Sequence, residues 1–120
     1  MSKRDLHSLT WRKKVYQLAY TLMKFLDQGQ AFDWDKGNRG KNFIKHQVAD
    51  EECEEVFFDQ QKKITHDELH SGQESRHLLI GQTKKSRLLF IVFTVREEKI
   101  RIISARDLNK KERKLYEKTN

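Results

Sequence analysis

The chain has a single cysteine, no proline, and no apolar run long enough to cross a bilayer. One thiol, Cys53, excludes an internal disulfide or a thiolate metal cluster within one chain. Glu51, Glu52, Glu54 and Glu55 surround it, and their negative charge suppresses the thiolate, so a small residue on a helix is a better reading than a nucleophile. The most apolar run, residues 88–93, falls far short of the roughly 20 residues that a membrane span needs. Lys3, Arg4 and Asp5 lead into an amphipathic segment rather than the continuous apolar one of a signal peptide, and the expected location is the cytoplasm. Without proline, internal repeats or a low-complexity linker, nothing argues for a domain boundary after residue 31. At 120 residues, 36% hydrophobic and 36% charged, the chain has room for one compact domain with a heavily charged surface.

The charge is unevenly placed. Residues 1–60 hold 10 Lys and Arg against 10 Asp and Glu, whereas residues 61–120 hold 15 against 8, so the whole +7 excess lies in the second half. A one-sided positive field suits a polyanion, of which nucleic acid is the commonest; an acidic protein partner or a solvated surface leaves the same composition.

Between residues 9 and 26, Trp11, Val15, Leu18, Leu22 and Phe25 recur at spacings of four, three, four and three, the signature of one helix face. Arg12, Lys13, Gln17, Thr21 and Lys24 occupy the other side. Such a helix packs on its own domain or a partner, or lies on a membrane surface; packing is the preferred reading. Met23 opens a second plausible start, so residues 1–30 read as an N-terminal helical extension, dispensable up to residue 22, ahead of a domain at 31–120. Phe32 and Trp34 alternate with Asp33 and Asp35 as in a short edge strand. Residues 36–46 are predicted helical, with Gly37 and Gly40 blurring the start. Asp50 is the expected N-cap of a second helix, and Asn109 with Glu112 has the spacing of a capping box opening a third. Residues 62–65, 77–83, 88–96 and 99–106 are predicted strands, the last two joined by a turn at Glu97 and Glu98 that carries neither Asn nor Gly. Residues 88–93 suggest a central strand covered on both faces. The expected class is α+β.

Several segments look familiar as an ordered series: Phe-Asp-Trp-Asp at 32–35, Asn-Phe-Ile-Lys-His-Gln-Val at 42–48, Glu-Glu-Val-Phe-Phe-Asp at 54–59 and Arg-Ile-Ile-Ser-Ala-Arg at 101–106. Leu-Ile-Gly at 79–81, Arg-Leu-Leu at 87–89, Phe-Thr-Val-Arg at 93–96 and Lys-Glu-Arg-Lys-Leu-Tyr at 111–116 extend it. Over residues 32–116 the chain resembles the BrnT toxins of type II toxin-antitoxin systems. A departure is Gln47, where the family has glycine closing the first helix; a non-Gly residue in a left-handed cap is strained but tolerable. The resemblance implies a RelE-like antiparallel sheet packed with helices, metal-independent endoribonuclease activity without a cofactor, and growth inhibition through translation. It further implies neutralisation by a BrnA-type ribbon-helix-helix antitoxin, through which alone the complex would reach operator DNA.

Metal-free RNA cleavage requires deprotonation of the 2′-hydroxyl, stabilisation of the phosphorane charge and protonation of the 5′-oxygen. His46 suits proton transfer because imidazole titrates near neutrality; it equally suits a charged cap at the C-terminus of the first helix. Arg76, Arg101, Arg106 and Arg113 offer planar forks to phosphate oxygens. Strict alternation along 101–106 sends Arg101 and Arg106 to opposite faces, so Arg76 and Arg106 are favoured for chemistry, with Arg101 a backbone contact or sheet-surface residue. Tyr116 could donate a proton, stack on a base, or belong to the core beside Leu115. Lys45, beside His46, and Arg113 are further candidate RNA contacts. Lys110 and Lys111 oppose the dipole of the third helix unless an anion binds there; two solvated lysines are the simpler explanation. His66 and His70 have the spacing of helical metal ligands but sit in strand-and-loop sequence, which favours surface histidines over a metal site. The rival to an enzyme is a noncatalytic nucleic-acid or protein-binding module on the same scaffold.

Overall fold

The computed structural model describes residues 32–72 and 74–118, so the amphipathic segment at 9–26 and the extension at 1–30 lie outside the described residues. Two short helices, α1 (Lys41–His46) and α2 (Asp50–Glu55), lead through a 3-10 turn at Val56–Phe58 into four strands, β1 (Lys63–Asp67), β2 (Arg76–Gln82), β3 (Leu88–Arg96) and β4 (Lys99–Asp107); α3 (Lys110–Glu117) follows. The strands form one antiparallel meander in the order β1-β2-β3-β4. No helix among the described residues is long and apolar enough to cross a membrane.

Alternation along each strand builds two unequal apolar layers. Leu89, Ile91 and Phe93 of β3, Leu79 of β2, and Ile100, Ile102 and Ala105 of β4 are fully buried beneath Val48, Cys53, Val56 and Phe57. Phe57 anchors this layer edge-on between Phe32 and Phe93, at centroid distances of 5.4 and 5.1 Å. On the opposite face α3 covers only part of the sheet, packing Leu108 and Tyr116 over Ile80, Leu88 and Phe90. β3 is therefore buried on one face at Leu89, Ile91 and Phe93 and only half-buried on the other at Leu88, Phe90 and Val92, rather than covered on both sides along residues 88–93.

Local chemistry explains where the elements begin and end. α1 starts at Lys41, later than the expected residue 36, because residues 36–40 form turns and Gly40 takes a left-handed φ of 72°. Gln47 closes α1 at φ 56°, the left-handed cap that its position demanded. The N-cap of α2 is Ala49 and not Asp50, whose carboxylate accepts hydrogen bonds from the Gly40 N–H; Glu52 reaches back to accept from the Ala49 N–H at 3.0 Å. Asn109 and Glu112 form the expected reciprocal box at 2.8 and 2.9 Å. Glu97 and Glu98, at φ 47° and 66°, make the β3–β4 turn with both central residues at positive φ, the type I′ pattern whose twist matches a hairpin.

The free edge of β4 is satisfied without another strand. The Asp33 N–H donates to the Ile100 carbonyl, the Asn38 amide donates to that of Ile102, and the Asn42 side-chain oxygen accepts from the Ala105 N–H. Segment 32–42 thus lies along this edge and carries α1 toward the end of the sheet at Asp107.

Candidate nucleic-acid interface

A β-bulge decides which arginines share a surface. Phe93 pairs with Ile102 while Val92 pairs with Ser104, leaving Ile103 without a partner. The extra residue reverses the alternation, so Arg101, Ser104 and Arg106 lie on one face, and the expectation that Arg101 and Arg106 point oppositely is corrected. Arg76 belongs to that face too, since β2 alternates Arg76, Leu78, Ile80 and the last two pair with Val92 and Phe90. Beyond the part covered by α3, the face exposes a row formed by Thr65, Leu78, Val92 and Ser104, all half-buried.

Arg106 stands at the α3 end of this face. Its guanidinium lies over the Phe90 ring at 4.2 Å and donates to both carboxylate oxygens of Glu112, at 2.8 and 2.9 Å. The guanidinium holds the Glu112 carboxyl below the usual carboxylate range. Arg76, by contrast, begins β2 four residues from Ile80, the residue in line with Arg106. The backbone separation is roughly 13 Å along the strand and roughly 10 Å across the sheet, and the Arg106 guanidinium is turned to Glu112. Arg76 and Arg106 thus share a face of the sheet, at opposite ends of it. Arg76 is exposed, with no ion-pair partner among the described residues.

Arg101 is engaged elsewhere. Only 13% of its side chain is exposed, and it donates to Asp33 at 3.4 Å and to both oxygens of Asp35 at 3.0 Å, lowering the Asp35 pKa. Of its two readings, backbone contact or sheet-surface residue, the ion pairs describe the second, in which Arg101 clasps segment 32–35 to β4.

His46 and Lys45 close α1 beside the end of β4, exposed. Asp107 ends β4, and its pKa is lowered first by hydrogen bonds from Arg87 and then by the charges of Arg87, Arg113 and His46. Arg87 thus hydrogen-bonds this carboxylate, the charges of His46 and Arg113 act on it from further off, and Arg106 donates to the Asp107 backbone carbonyl at 3.1 Å. Lys110 and Lys111 follow within four residues, exposed in the first turn of α3. The end of β4 thus brings His46 of α1, Arg106 of β4, Arg113 of α3 and Arg87 of the loop before β3 into one neighbourhood.

Tyr116 faces inward from α3, only 9% exposed, and donates its phenol proton to Asp59 at 2.7 Å. Burial, with the Asp59 charge, pushes its pKa to about 12. Tyr116 thus takes the core position beside Leu108 and Ile80, with its hydroxyl engaged by Asp59. The cavity beside it, about 260 Å³, is lined by Gln60, Gln61, Lys62, Lys63, Glu117 and Lys118 and includes none of the arginines. His66 lies in β1 and His70 in the turn after it, where His70 bonds Asp67, so the two do not share a helical face. Cys53 is buried, and desolvation with neighbouring carboxylates raises its thiol pKa to about 12.

Sequence reasoning missed Arg87, Asp107 and Glu52. Arg87 lies 20 residues from Asp107 and 35 from Glu52, so no local spacing could signal their meeting. Glu112 was legible as a helix cap but not as a partner of Arg106.

A family model described as "Ribonuclease toxin, BrnT, of type II toxin-antitoxin system" matches residues 34–112. No curated protein matches the chain.

Proposed function

From the premise that this chain belongs to the BrnT family of ribonuclease toxins of type II toxin-antitoxin systems, we propose that it cleaves RNA without a metal or other cofactor at the corner around Asp107. The observation that carries this reading is the gathering of three groups at the end of β4, where the charges of His46 and Arg113 act on the Asp107 carboxylate and Arg106 donates to the Asp107 backbone carbonyl, beside an open sheet face bearing Arg76.

In this reading an RNA strand crosses the sheet face with the scissile phosphate at the His46 end. His46 takes the proton of the 2′-hydroxyl as its oxygen attacks phosphorus. Arg106 and Arg113, charged at any physiological pH, stabilise the additional negative charge of the five-coordinate phosphorane. The bond to the 5′-oxygen breaks, and that oxygen receives the proton from the imidazolium. The products are a 2′,3′-cyclic phosphate and a free 5′-hydroxyl, so the atoms balance without water or a metal. Lys45, Lys110, Lys111 and Arg76 hold flanking phosphates electrostatically. Loss of translated RNA would slow growth, and a BrnA-type antitoxin in the same cytoplasm would bind the toxin, silence it and carry the complex to operator DNA.

The test is induction of the chain with and without the partner antitoxin, followed by mapping of cut RNA ends in the presence of EDTA. Cyclic-phosphate ends that persist with EDTA and fall at least about 100-fold in His46→Ala and Arg106→Ala support the reading. RNA binding without cleavage would instead favour the noncatalytic module, in which these cations serve only as contacts.

A further inference from the structure

We infer that Arg87 is the positioning residue of the proposed active site: it braces the backbone of His46 against the end of the sheet. This rests on the reading of His46 as the proton-transfer group and assigns Arg87 no contact with RNA.

Arg87 occupies the last position before β3, its backbone fixed by a local turn in which Thr83 N–H donates to the Arg87 carbonyl at 2.8 Å and Arg87 N–H donates to the Thr83 hydroxyl at 3.0 Å. Its guanidinium bridges three elements. Nε and Nη2 donate to the two oxygens of Asp107, at 2.8 and 3.2 Å, at the end of β4. Nη1 donates to Glu52 in the first turn of α2, at 3.0 Å. The same nitrogen donates to the Gln47 carbonyl at 2.8 Å, and Nη2 reaches the His46 carbonyl at 3.4 Å, at the end of α1.

The terminal carbonyls of a helix have no partner within it, and surface helices leave them to water. Here a guanidinium takes two of them, and does so where the chain leaves the helix through the left-handed Gln47. Two carboxylates from other elements fix that guanidinium in turn. The position of His46 relative to Asp107, Arg106 and Arg113 is consequently set through its backbone by Arg87. A lysine cannot substitute, because one ammonium cannot form the paired bonds to Asp107 while also reaching Glu52 and the α1 carbonyls. Displacement of a catalytic group by about 1 Å costs on the order of 100-fold in rate.

The experiment compares wild type, Arg87→Lys, His46→Ala and the double variant, using a fluorogenic RNA oligonucleotide and NMR of the free protein. Expected for Arg87→Lys are a kcat lower by about 10- to 100-fold, a KM within about threefold, and no further loss of kcat when the change is added to His46→Ala, because Arg87 acts through His46. NMR reads the brace without activity: the His46 ring signals shift, and the Gln47 amide, which donates to Phe43, exchanges with solvent at least about tenfold faster. Unchanged His46 and Gln47 signals in Arg87→Lys would overturn the inference even if cleavage were normal, as would an equal loss of kcat on the His46→Ala background. Cleavage unaffected by His46→Ala, or absent in wild type, sinks the reading of His46 as catalytic; the altered NMR signals would then leave Arg87 as a brace of this corner with no part in catalysis.

Discussion

The guanidinium of Arg106 is held by two different groups: the Phe90 ring lies 4.2 Å beneath it and Glu112 accepts from both of its terminal nitrogens. The carboxylate fixes the fork and also cancels much of its charge, so it opposes phosphate binding while it orients the group that would bind. Glu112→Gln separates the two effects, since glutamine keeps the helix cap. RNA affinity at low salt should rise several-fold and the salt slope should steepen by about 0.7 for one further effective cation on single-stranded RNA. The fold should lose no more than about 1 kcal/mol. A salt-titrated binding series checks both; an unchanged slope would show that Arg106 makes no contact with RNA.

Arg76 stands on the same face but far from His46. Arg76→Ala should therefore raise KM about three- to tenfold, corresponding to roughly 1 kcal/mol of uniform binding, and leave kcat within about twofold. A kcat falling as steeply as in His46→Ala would place Arg76 at the reacting phosphate instead.

Tyr116→Phe should cost about 1–3 kcal/mol of stability, because Asp59 loses its 2.7 Å donor in a partly buried site. Cleavage per folded molecule should not change. The phenol also has a linkage signature: its folded pKa of about 12 exceeds the unfolded value near 10, so the unfolded chain binds fewer protons between them. Stability should fall as pH rises across that interval, and denaturant melts of wild type against Tyr116→Phe measure the difference.

His77 gives the opposite signature on the acid side. Its ring lies tilted between those of His66, at 5.4 Å, and Phe93, at 5.3 Å, and burial together with the neighbouring imidazole lowers its pKa. A histidine with a depressed folded pKa disfavours protonation in the native state, so stability falls as pH drops below about 6.5 and levels off below the folded value. Melting temperatures between pH 7.5 and 5 should decline less in His77→Gln than in wild type.

Gly81 marks where β2 meets the 3-10 turn. A Cβ there would stand 3.1 Å from the Val56 carbonyl oxygen and 3.2 Å from the Val56 Cβ, so Gly81→Ala should destabilise by about 1–3 kcal/mol. Phe57→Ala, which empties the layer between Phe32 and Phe93, should cost about 3–5 kcal/mol. Urea midpoints at constant m-value check both.

Strand composition, the Asn109–Glu112 box and the unevenly placed charge are local properties, carried by neighbouring residues, and the sequence by itself determined them along with the α+β class; the left-handed exit at Gln47 was legible only through the family resemblance. Which cations meet was decided only by the tertiary structure. One unpartnered residue, Ile103, turned Arg101 and Arg106 to the same face, since a sheet's alternation has a period of two and a single extra residue inverts everything beyond it. Arg101 was then taken by Asp33 and Asp35, and Tyr116 by Asp59, partners 57 to 68 residues away. The same holds at the end of the sheet, where Arg87 joins α1, α2 and β4 across 20 to 41 residues. Sequence periodicity reports which side of an element a residue occupies, whereas ion pairing depends on the register and packing between elements, which only the folded chain fixes.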